Sequence, residues 1–244
     1  MNYDGMYAQG HQINSDGPFK MYVTNEIETW RLATLLSKEP ELISWVNSFR
    51  NGCVYWDVGS NIGLYALYLQ SKKDAAQIYV FEPQRTNYER MVENAHLNGW
   101  RKWQPTAPCA IGDYNGWARF SPGSNLPGSN DGRIVATSDK RQGYDIPVYT
   151  IDELCKWLSP CPNHIKIDTD GGEWAIVQGM SKTLLNPELR SVLIEVNDNG
   201  DDILQAFTEA GFTTDNEFNS MTPHSRDRRK AESIDCENII FVRV

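Results

Sequence analysis

The segment 53–63, with the sequence Cys-Val-Tyr-Trp-Asp-Val-Gly-Ser-Asn-Ile-Gly, constrains the fold more than any other part of the chain. Its first half is an apolar run that delivers one carboxylate, Asp57, which is typical of a buried strand in a parallel sheet. Gly59 and Gly63 follow, and apolar residues recur at helical spacing over 62–69. A strand, a glycine turn and a helix in this order predict the first crossover of a nucleotide-binding α/β domain.

The spacing of the glycines argues against a dinucleotide site. A G-x-G-x-x-G fingerprint that starts at Gly59 requires glycines at two positions where the chain has Asn61 and Leu64. The carboxylate just before the turn, Asp57, would repel a pyrophosphate but would attract a cationic amine or a sulfonium. The first turn therefore favours a cationic ligand over a phosphate.

A second acid, Glu82, directly follows the next apolar run, which covers 78–81. An acid at the tip of the second strand suits the two hydroxyls of a ribose, so the two strand ends together predict a site for S-adenosylmethionine. An ordinary βα turn followed by a solvated glutamate is the alternative. The predicted cofactor-binding residues of these two segments are Asp57, Gly59, Ser60, Asn61, Gly63, Glu82 and Pro83.

Composition is typical of a soluble globular protein. Of the 244 residues, 40% are apolar and 23% are charged, and the formal net charge is −9. This acidic balance argues against broad binding to nucleic acid or anionic membranes, although it leaves room for a local basic patch. The five cysteines are scattered without a C-x-x-C pair, so reduced thiols are expected rather than a disulfide framework or a zinc site.

The length fits one domain with embellishments. We expect residues 1–50 to form an N-terminal arm and two amphipathic helices that pack on the core, and residues 51–244 to form the main domain. No apolar run approaches the roughly 18 residues of a membrane span, and the first 20 residues are polar and Gly-rich. The sequence thus predicts a cytoplasmic protein without a membrane segment, and it leaves the oligomeric state open.

Further strands complete the expected sheet. A third strand is predicted over 103–111, and Ala110 and Ile111 near its end are candidate neighbours of the adenine base. Two short strands at 117–120 and 146–149 could pair. The polar segment 121–145 is then either a lid over the substrate or a mobile surface loop.

The segment 164–174 predicts a fourth strand whose tip carries three acids. Asp168 is a candidate cofactor and catalytic residue, since it lies at the strand end. Asp170 and Glu173 either contribute to the site or, slightly better supported, cap and complete the first turn of the next helix. In the polar insertion 215–237, His224 is a weaker candidate for a general base.

Four motifs, in this order along the chain, resemble the FkbM family of S-adenosylmethionine-dependent methyltransferases. They are Asp57-Val-Gly-Ser-Asn-Ile-Gly63, Phe81-Glu82-Pro83, Val148-Tyr-Thr-Ile-Asp152-Glu-Leu154 and Ile165-Lys-Ile-Asp168-Thr-Asp-Gly-Gly-Glu173. The resemblance spans roughly residues 25–244. It implies an α/β class I methyltransferase (Rossmann-like) fold, a three-layer sandwich around a mostly parallel seven-stranded sheet with an antiparallel last strand.

The resemblance also implies an activity, namely transfer of a methyl group from S-adenosylmethionine to a hydroxyl of a sugar or natural product. Asp57, Gly59, Asn61 and Glu82 would be cofactor residues, with Asp168 at the boundary between cofactor and acceptor. The acceptor would be a small molecule or a glycan. The chain departs from the family pattern where Asp170 replaces the usual glutamate, which shortens the side chain by one methylene.

Three other functions are compatible with the sequence. A Mg²⁺-assisted O-methyltransferase would hold its metal with Asp168, Glu195 and Asn197. A nucleotide-dependent oxidoreductase is opposed by the missing third glycine. A non-catalytic module that only binds S-adenosylmethionine is the third.

Overall fold

The structure is a computed structural model, and it describes residues 12–14, 19–73, 76–99, 103–105, 108–136, 143–196, 199–220 and 237–244. The strands in chain order are β1 Gln12–Asn14, β2 Met21–Val23, β3 Val54–Val58, β4 Gln77–Phe81, β5 Trp103–Pro105, β6 Ala110–Ile111, β7 Gly116–Ser121, β8 Arg133–Val135, β9 Tyr144–Tyr149, β10 His164–Ile167, β11 Ser191–Val196, β12 Phe212–Thr214 and β13 Glu237–Arg243. The helices are α1 Glu26–Thr34, α2 Pro40–Ser48, α3 Leu64–Lys72, α4 Arg85–Leu97, α5 Ile151–Trp157, α6 Glu173–Gln178, α7 Gly200–Glu209 and α8 Asn216–Ser220, with a 3₁₀ turn at Thr183–Leu185.

The main sheet has seven strands in the order β12-β13-β11-β10-β3-β4-β5. Strand β13 runs antiparallel to both of its neighbours, and the other strands run parallel to one another. The chain builds outward from β3 in one direction and then returns to build from β10 in the other, so the direction of winding changes between β3 and β10. The predicted seven-stranded sheet with an antiparallel last strand is confirmed.

The alternation of side chains along β3 explains why helices cover both faces of the sheet. Tyr55 belongs to one core cluster with residues of α2 and α3, such as Trp45 and Leu67. Trp56 belongs to a second cluster with residues of α6 and α7, such as Ile176. Because successive strand residues point to opposite faces, a strand that is buried at every position needs a helical layer on each side. This produces the three-layer sandwich.

The predicted third strand is wrong as a single element. Residues 103–105 form the edge strand of the main sheet, whereas Ala110 and Ile111 form β6, which pairs with β9 in a separate four-stranded sheet of order β6-β9-β7-β8. Pro105 ends β5 and Pro108 lies between the two pieces, and both lack an N–H donor, which opposes a continuous ladder through 103–111. The predicted pairing of 117–120 with 146–149 is confirmed as the β7–β9 ladder.

The two predicted N-terminal helices are present. The side chain of Asn25 accepts a hydrogen bond from the backbone N–H of Glu28 and caps α1, and Pro40 begins α2. Most of the arm over residues 1–20 lies outside the described residues, apart from 12–14, which pair with β2, and 19–20. Within the described part of the chain, no helix is long and apolar enough to cross a membrane.

Candidate functional site

The glycine turn after β3 is wedged between two strand ends. The backbone N–H groups of Gly59 and Ser60 donate to the Phe81 carbonyl at 3.0 and 3.2 Å, which ties the turn to the end of β4. Gly59 has a φ of +77°, and a β-carbon there would lie 1.8 Å from the backbone oxygen of Asp168. Only glycine fits this position, and its use brings the ends of β3, β4 and β10 together.

Glu82 follows the tip of β4 and is almost fully buried. One carboxylate oxygen accepts the backbone N–H of Asn61 at 2.7 Å, and the other accepts that of Gln84 at 2.9 Å. Burial raises the pKa of Glu82 to about 7, although these two hydrogen bonds oppose the shift. The Glu82 side chain therefore titrates near neutral pH.

A cavity of about 550 Å³ opens at the carboxyl ends of the parallel strands, beside the change in winding direction. Ligands of open α/β sheets bind at this position, and the volume suits a small molecule. Several sequence-predicted cofactor residues line the cavity. They are Gly59, Asn61, Glu82, Pro83, Ala110, Ile111 and Asp168.

The remaining predicted site residues lie elsewhere. Ser60 lines a smaller recess that adjoins the main cavity and shares Gly59, Asn61 and Asp168 with it. Asp57 and Gly63 are on the wall of neither, and Asp57 is only 1% exposed. His224 lies outside the described residues.

A buried lysine explains where Asp57 points. The β3–β10 register places Lys166 directly beside Asp57 on the same face of the sheet. Lys166 is 2% exposed, and its Nζ lies 3.5 Å from Asp57 Oδ1 and 3.0 Å from Asp168 Oδ2. The sequence analysis missed Lys166, and the available signal was its position between Ile165 and Ile167 in an otherwise apolar strand.

The charges of this triad influence one another. Burial alone would raise the pKa of Asp168, but attraction by Lys166 and then Lys38 outweighs burial and lowers that pKa to about 2. The pKa of Lys166 is raised because Asp168 and Asp57 outweigh the opposing effect of burial. At Asp57, burial dominates and raises the pKa despite Lys166. The carboxylate that faces the cavity, Asp168, is thus held ionised and weakly basic.

Asp170 takes a different role from the predicted helix cap. The N-cap of α6 is Gly172, without a side-chain cap, so the capping interpretation of Asp170 is wrong. Asp170 instead has a φ of +55° and lines the cavity. Desolvation, followed by the charges of Asp168 and Glu173, raises its pKa to about 6.

Glu173 shapes the loop that presents Asp170. Its Oε1 atom accepts hydrogen bonds from the Thr169 backbone N–H at 3.2 Å, the Thr169 hydroxyl at 3.0 Å and the Gly171 N–H at 3.0 Å. Because Glu173 is buried, these bonds hold the left-handed turn at Asp170 against the protein interior. The predicted structural interpretation of Glu173 is confirmed.

The polar segment that leads from β7 into β8 forms one wall of the cavity. We name residues 124–134, which include the first two residues of β8, the strap. Asn61 and Asn87 each donate a side-chain amide hydrogen to the Ser129 carbonyl at 2.9 Å. Gln84 donates to the Ser129 hydroxyl at 2.8 Å, and Arg31 Nε donates to the Gly128 carbonyl at 2.6 Å. These bonds attach the strap to the glycine turn, to α1 and to the start of α4, while residues 137–142 lie outside the described part.

Metal ligands do not gather in the described residues, where no group of three His, Cys, Asp or Glu side chains could hold an ion. The Mg²⁺ hypothesis used Asp168, Glu195 and Asn197. Asp168 and Glu195 both line the cavity, whereas Asn197 is outside the described part of the chain. The ammonium of Lys166 already lies 3.0 Å from Asp168.

Comparison with known proteins identifies the family. Residues 57–214, well over half of the chain, match the family model described as "Methyltransferase FkbM domain". The chain belongs to the FkbM methyltransferase family. It is an S-adenosylmethionine-dependent methyltransferase, as the motifs predicted, and this assignment leaves the oxidoreductase hypothesis without support.

Two curated relatives are methyltransferases. The hexuronic acid methyltransferase AglP of Haloferax volcanii is 27% identical over 191 residues, which cover 77% of this chain and 75% of AglP. Methyltransferase sdnD of Sordaria araneosa is 32% identical over 154 residues, or 52% of this chain and 60% of sdnD. Among solved structures, magnesium protoporphyrin IX methyltransferase (ChlM) from Synechocystis PCC 6803 aligns over 94% of this chain and 87% of its own, with 12% identity and a TM-score of 0.47.

The residues that line the cavity are compatible with the ribose, the adenine and the positive charges of S-adenosylmethionine. Glu82 offers carboxylate oxygens to a ribose, and the apolar side chains of Ala110 and Ile111 offer an adenine contact. Asp168 and Asp170 offer negative charge to the sulfonium and the ammonium. The residues present therefore suit the cofactor of this family.

If Glu82 binds the ribose hydroxyls as predicted, the affinity for S-adenosylmethionine should rise about tenfold from pH 6 to pH 8. The pKa of Glu82 is about 7, so the carboxylate, which is the stronger hydrogen-bond acceptor, becomes the main form over this range. Glu82→Gln should bind more weakly and without this pH dependence. Isothermal titration at several pH values measures both, with the surface variant Glu89→Gln as a control. Equal wild-type affinities at pH 6 and 8 would contradict the assigned role.

Proposed function

We propose that this protein methylates a hydroxyl group of a sugar, either free, in a glycan or in a glycosylated natural product. The relative AglP is a hexuronic acid methyltransferase, which supports a sugar acceptor. The cavity wall also carries Trp30, which is 48% exposed and offers an aromatic face to a sugar ring. The observation that carries the proposal is a carboxylate in the cavity, Asp170, whose pKa of about 6 suits a general base at neutral pH.

The two acids of the loop after β10 have separate roles in this proposal. Asp168, paired with Lys166, stays ionised and attracts the positive charge of the cofactor. Its pKa of about 2 makes it a poor acceptor for a hydroxyl proton. Asp170 takes that proton as the acceptor oxygen attacks. The base role thus moves from the sequence-predicted Asp168 to Asp170.

When bound, S-adenosylmethionine would supply an electrophilic methyl group for in-line transfer to the acceptor oxygen, with S-adenosylhomocysteine as the leaving group. The protein contributes mainly positioning and exclusion of water. The strap covers the cavity from one side through its bonds to Asn61, Asn87 and Gln84. The loop that Glu173 holds in place puts Asp170 on the cavity wall.

The proposal is tested by product analysis. The protein is incubated with S-adenosylmethionine labelled with ¹³C in the methyl group and with glucose, glucuronic acid and their phenyl glycosides as acceptors. We expect a methyl ether, which two-dimensional NMR identifies by a correlation from the methyl hydrogens to a ring carbon across oxygen. Methylation only at nitrogen, carbon or a carboxylate would contradict the proposal.

Two further outcomes separate the alternatives. Binding of S-adenosylmethionine without turnover of any acceptor would favour a non-catalytic module. Loss of activity in a chelator, with recovery on added Mg²⁺, would favour the metal-assisted enzyme.

A further inference from the structure

Helix α1 and the turn before α2 each bring one cation to the cavity. Arg31, in the last turn of α1, and Lys38, in the turn before α2, line both the main cavity and the adjoining recess. Both residues precede the segment 57–214 that matches the family model. Their contribution to the site therefore comes from outside the segment of this chain that matches the family model.

The other described cations on the cavity walls differ from Arg31 and Lys38 in position or in partners. Lys166 is buried against two carboxylates. Arg133 lines the main cavity but not the recess beside the glycine turn. Arg31 and Lys38 remain as the cations next to the glycine turn.

Arg31 is held in place with part of its guanidinium unused. Its Nε donates to the Gly128 carbonyl at 2.6 Å, which fixes the half-buried side chain against the strap. Its two terminal nitrogens have no hydrogen-bond partner among the residues that the structure describes. A guanidinium positioned in this way can donate two parallel hydrogen bonds to a carboxylate.

Lys38 is anchored by a buried acid. Its Nζ lies 2.6 Å from Glu39 Oε1, and the other oxygen of Glu39 accepts the Tyr65 hydroxyl. The Lys38 side chain is 29% exposed. Its charge reaches Asp168, whose pKa it helps to lower. An ammonium with three donors can bond a further acceptor while it keeps Glu39.

The cofactor has one anionic group that the acids of the site would repel. If the ribose binds at Glu82 and the adenine at Ala110 and Ile111, the part of the cavity left for the methionine moiety of S-adenosylmethionine is the part lined by the glycine turn and Asp168. The acids suit its sulfonium and ammonium, whereas its carboxylate needs cations. We propose that Arg31 and Lys38 bind the carboxylate of the methionine moiety, so that the segment from α1 to the start of α2 completes the cofactor site.

An anionic group on the acceptor is the competing ligand for these cations, and the recess argues for the cofactor. Arg31 and Lys38 share the recess with the glycine turn at 59–62, whereas their neighbour Trp30 lines only the main cavity. The cations thus lie toward the methionine end, and the aromatic side chain lies toward the acceptor. The inference concerns cofactor binding alone and does not depend on which acceptor is methylated.

Isothermal titration with two ligands tests the proposal. The probes are S-adenosylmethionine and decarboxylated S-adenosylmethionine, which keeps the adenine, ribose, sulfonium and amine but lacks the carboxylate. We expect the wild-type protein to prefer the carboxylated ligand about tenfold or more. Arg31→Gln and Lys38→Gln should each reduce that preference several-fold and leave the affinity for the decarboxylated ligand within about twofold.

Controls make each outcome decisive. Arg85→Gln removes a surface cation that pairs with Glu89, and it should keep the wild-type preference. Arg31→Lys keeps the charge and should retain part of the preference. A wild-type protein that binds both ligands equally would overturn the proposal. So would variants that weaken both ligands equally, since that pattern indicates a structural role, or variants that keep the wild-type preference.

Discussion

Replacement of Asp170 by asparagine is expected to lower kcat for methyl transfer by about 10²–10⁴, the usual contribution of a general base. Asparagine keeps the size and polarity of the side chain but cannot take the hydroxyl proton. In the wild type, kcat/KM for the acceptor, measured with saturating S-adenosylmethionine, should rise with pH up to about 6 and level off above it, because the base acts only when ionised. In Asp170→Asn this limb should disappear.

Two comparisons separate a base from a residue that only shapes the loop. The affinity of Asp170→Asn for S-adenosylmethionine should stay within about fivefold of the wild type, so that the loss appears in kcat rather than in binding. Asp145→Asn, at a surface ion pair with Arg119, should have wild-type kinetics. Asp168→Asn should weaken cofactor binding but keep the pH limb. If Asp170→Asn retains both its rate and the limb, Asp170 is not the general base.

The parts of the fold that could be predicted are those that depend on local pattern. The strand, glycine turn and helix around Gly59, and the acid at Glu82, follow from residue types at fixed spacing along one stretch of chain. The error at 103–111 also has a local cause. Pro105 and Pro108 lack the N–H donors that one continuous strand needs, and the prediction of a single strand did not account for them.

The parts of the site that escaped prediction depend on contacts between distant segments. Asp57 was predicted to face the cofactor because its strand ends at the site, but only the β3–β10 register shows that Lys166 lies beside it. Arg31 and Lys38 lie about twenty residues or more before the first motif. Only the folded chain brings Arg31 into contact with Gly128. No periodicity in a single sequence reports such pairings.

Replacement of Lys166 by methionine should destabilise the protein by about 3–5 kcal/mol, since it leaves a buried carboxylate without its counter-charge. Asp57 is 1% exposed, and no hydrogen-bond partner is found for either carboxylate oxygen within the described residues. Lys166 is thus the near cation that compensates the desolvation of Asp57. Urea unfolding at pH 8 measures the loss, with the exposed Lys156→Met as a control that should change stability by less than about 1 kcal/mol.

The loss in Lys166→Met should depend on pH in a direction that identifies its cause. Burial already raises the pKa of Asp57, and removal of Lys166 raises it further. A carboxyl group with a raised pKa in the folded state stabilises the fold below its unfolded pKa, and this stability is lost as the pH rises through the folded value. The deficit of the variant should therefore be smaller at pH 5 than at pH 8.

A double variant then separates charge from packing. Lys166→Met combined with Asp57→Asn removes both charges, and it should recover more than half of the loss, because a neutral buried pair avoids the penalty of an isolated ion. If the double variant is no more stable than Lys166→Met alone, the side chain of Lys166 acts through its volume. A single variant within about 1 kcal/mol of wild type at pH 8 would show that Asp57 needs no buried cation. Recovery in the double variant would instead establish that Lys166 keeps Asp57 ionised in the core. The same ammonium also contacts Asp168 at the cavity wall.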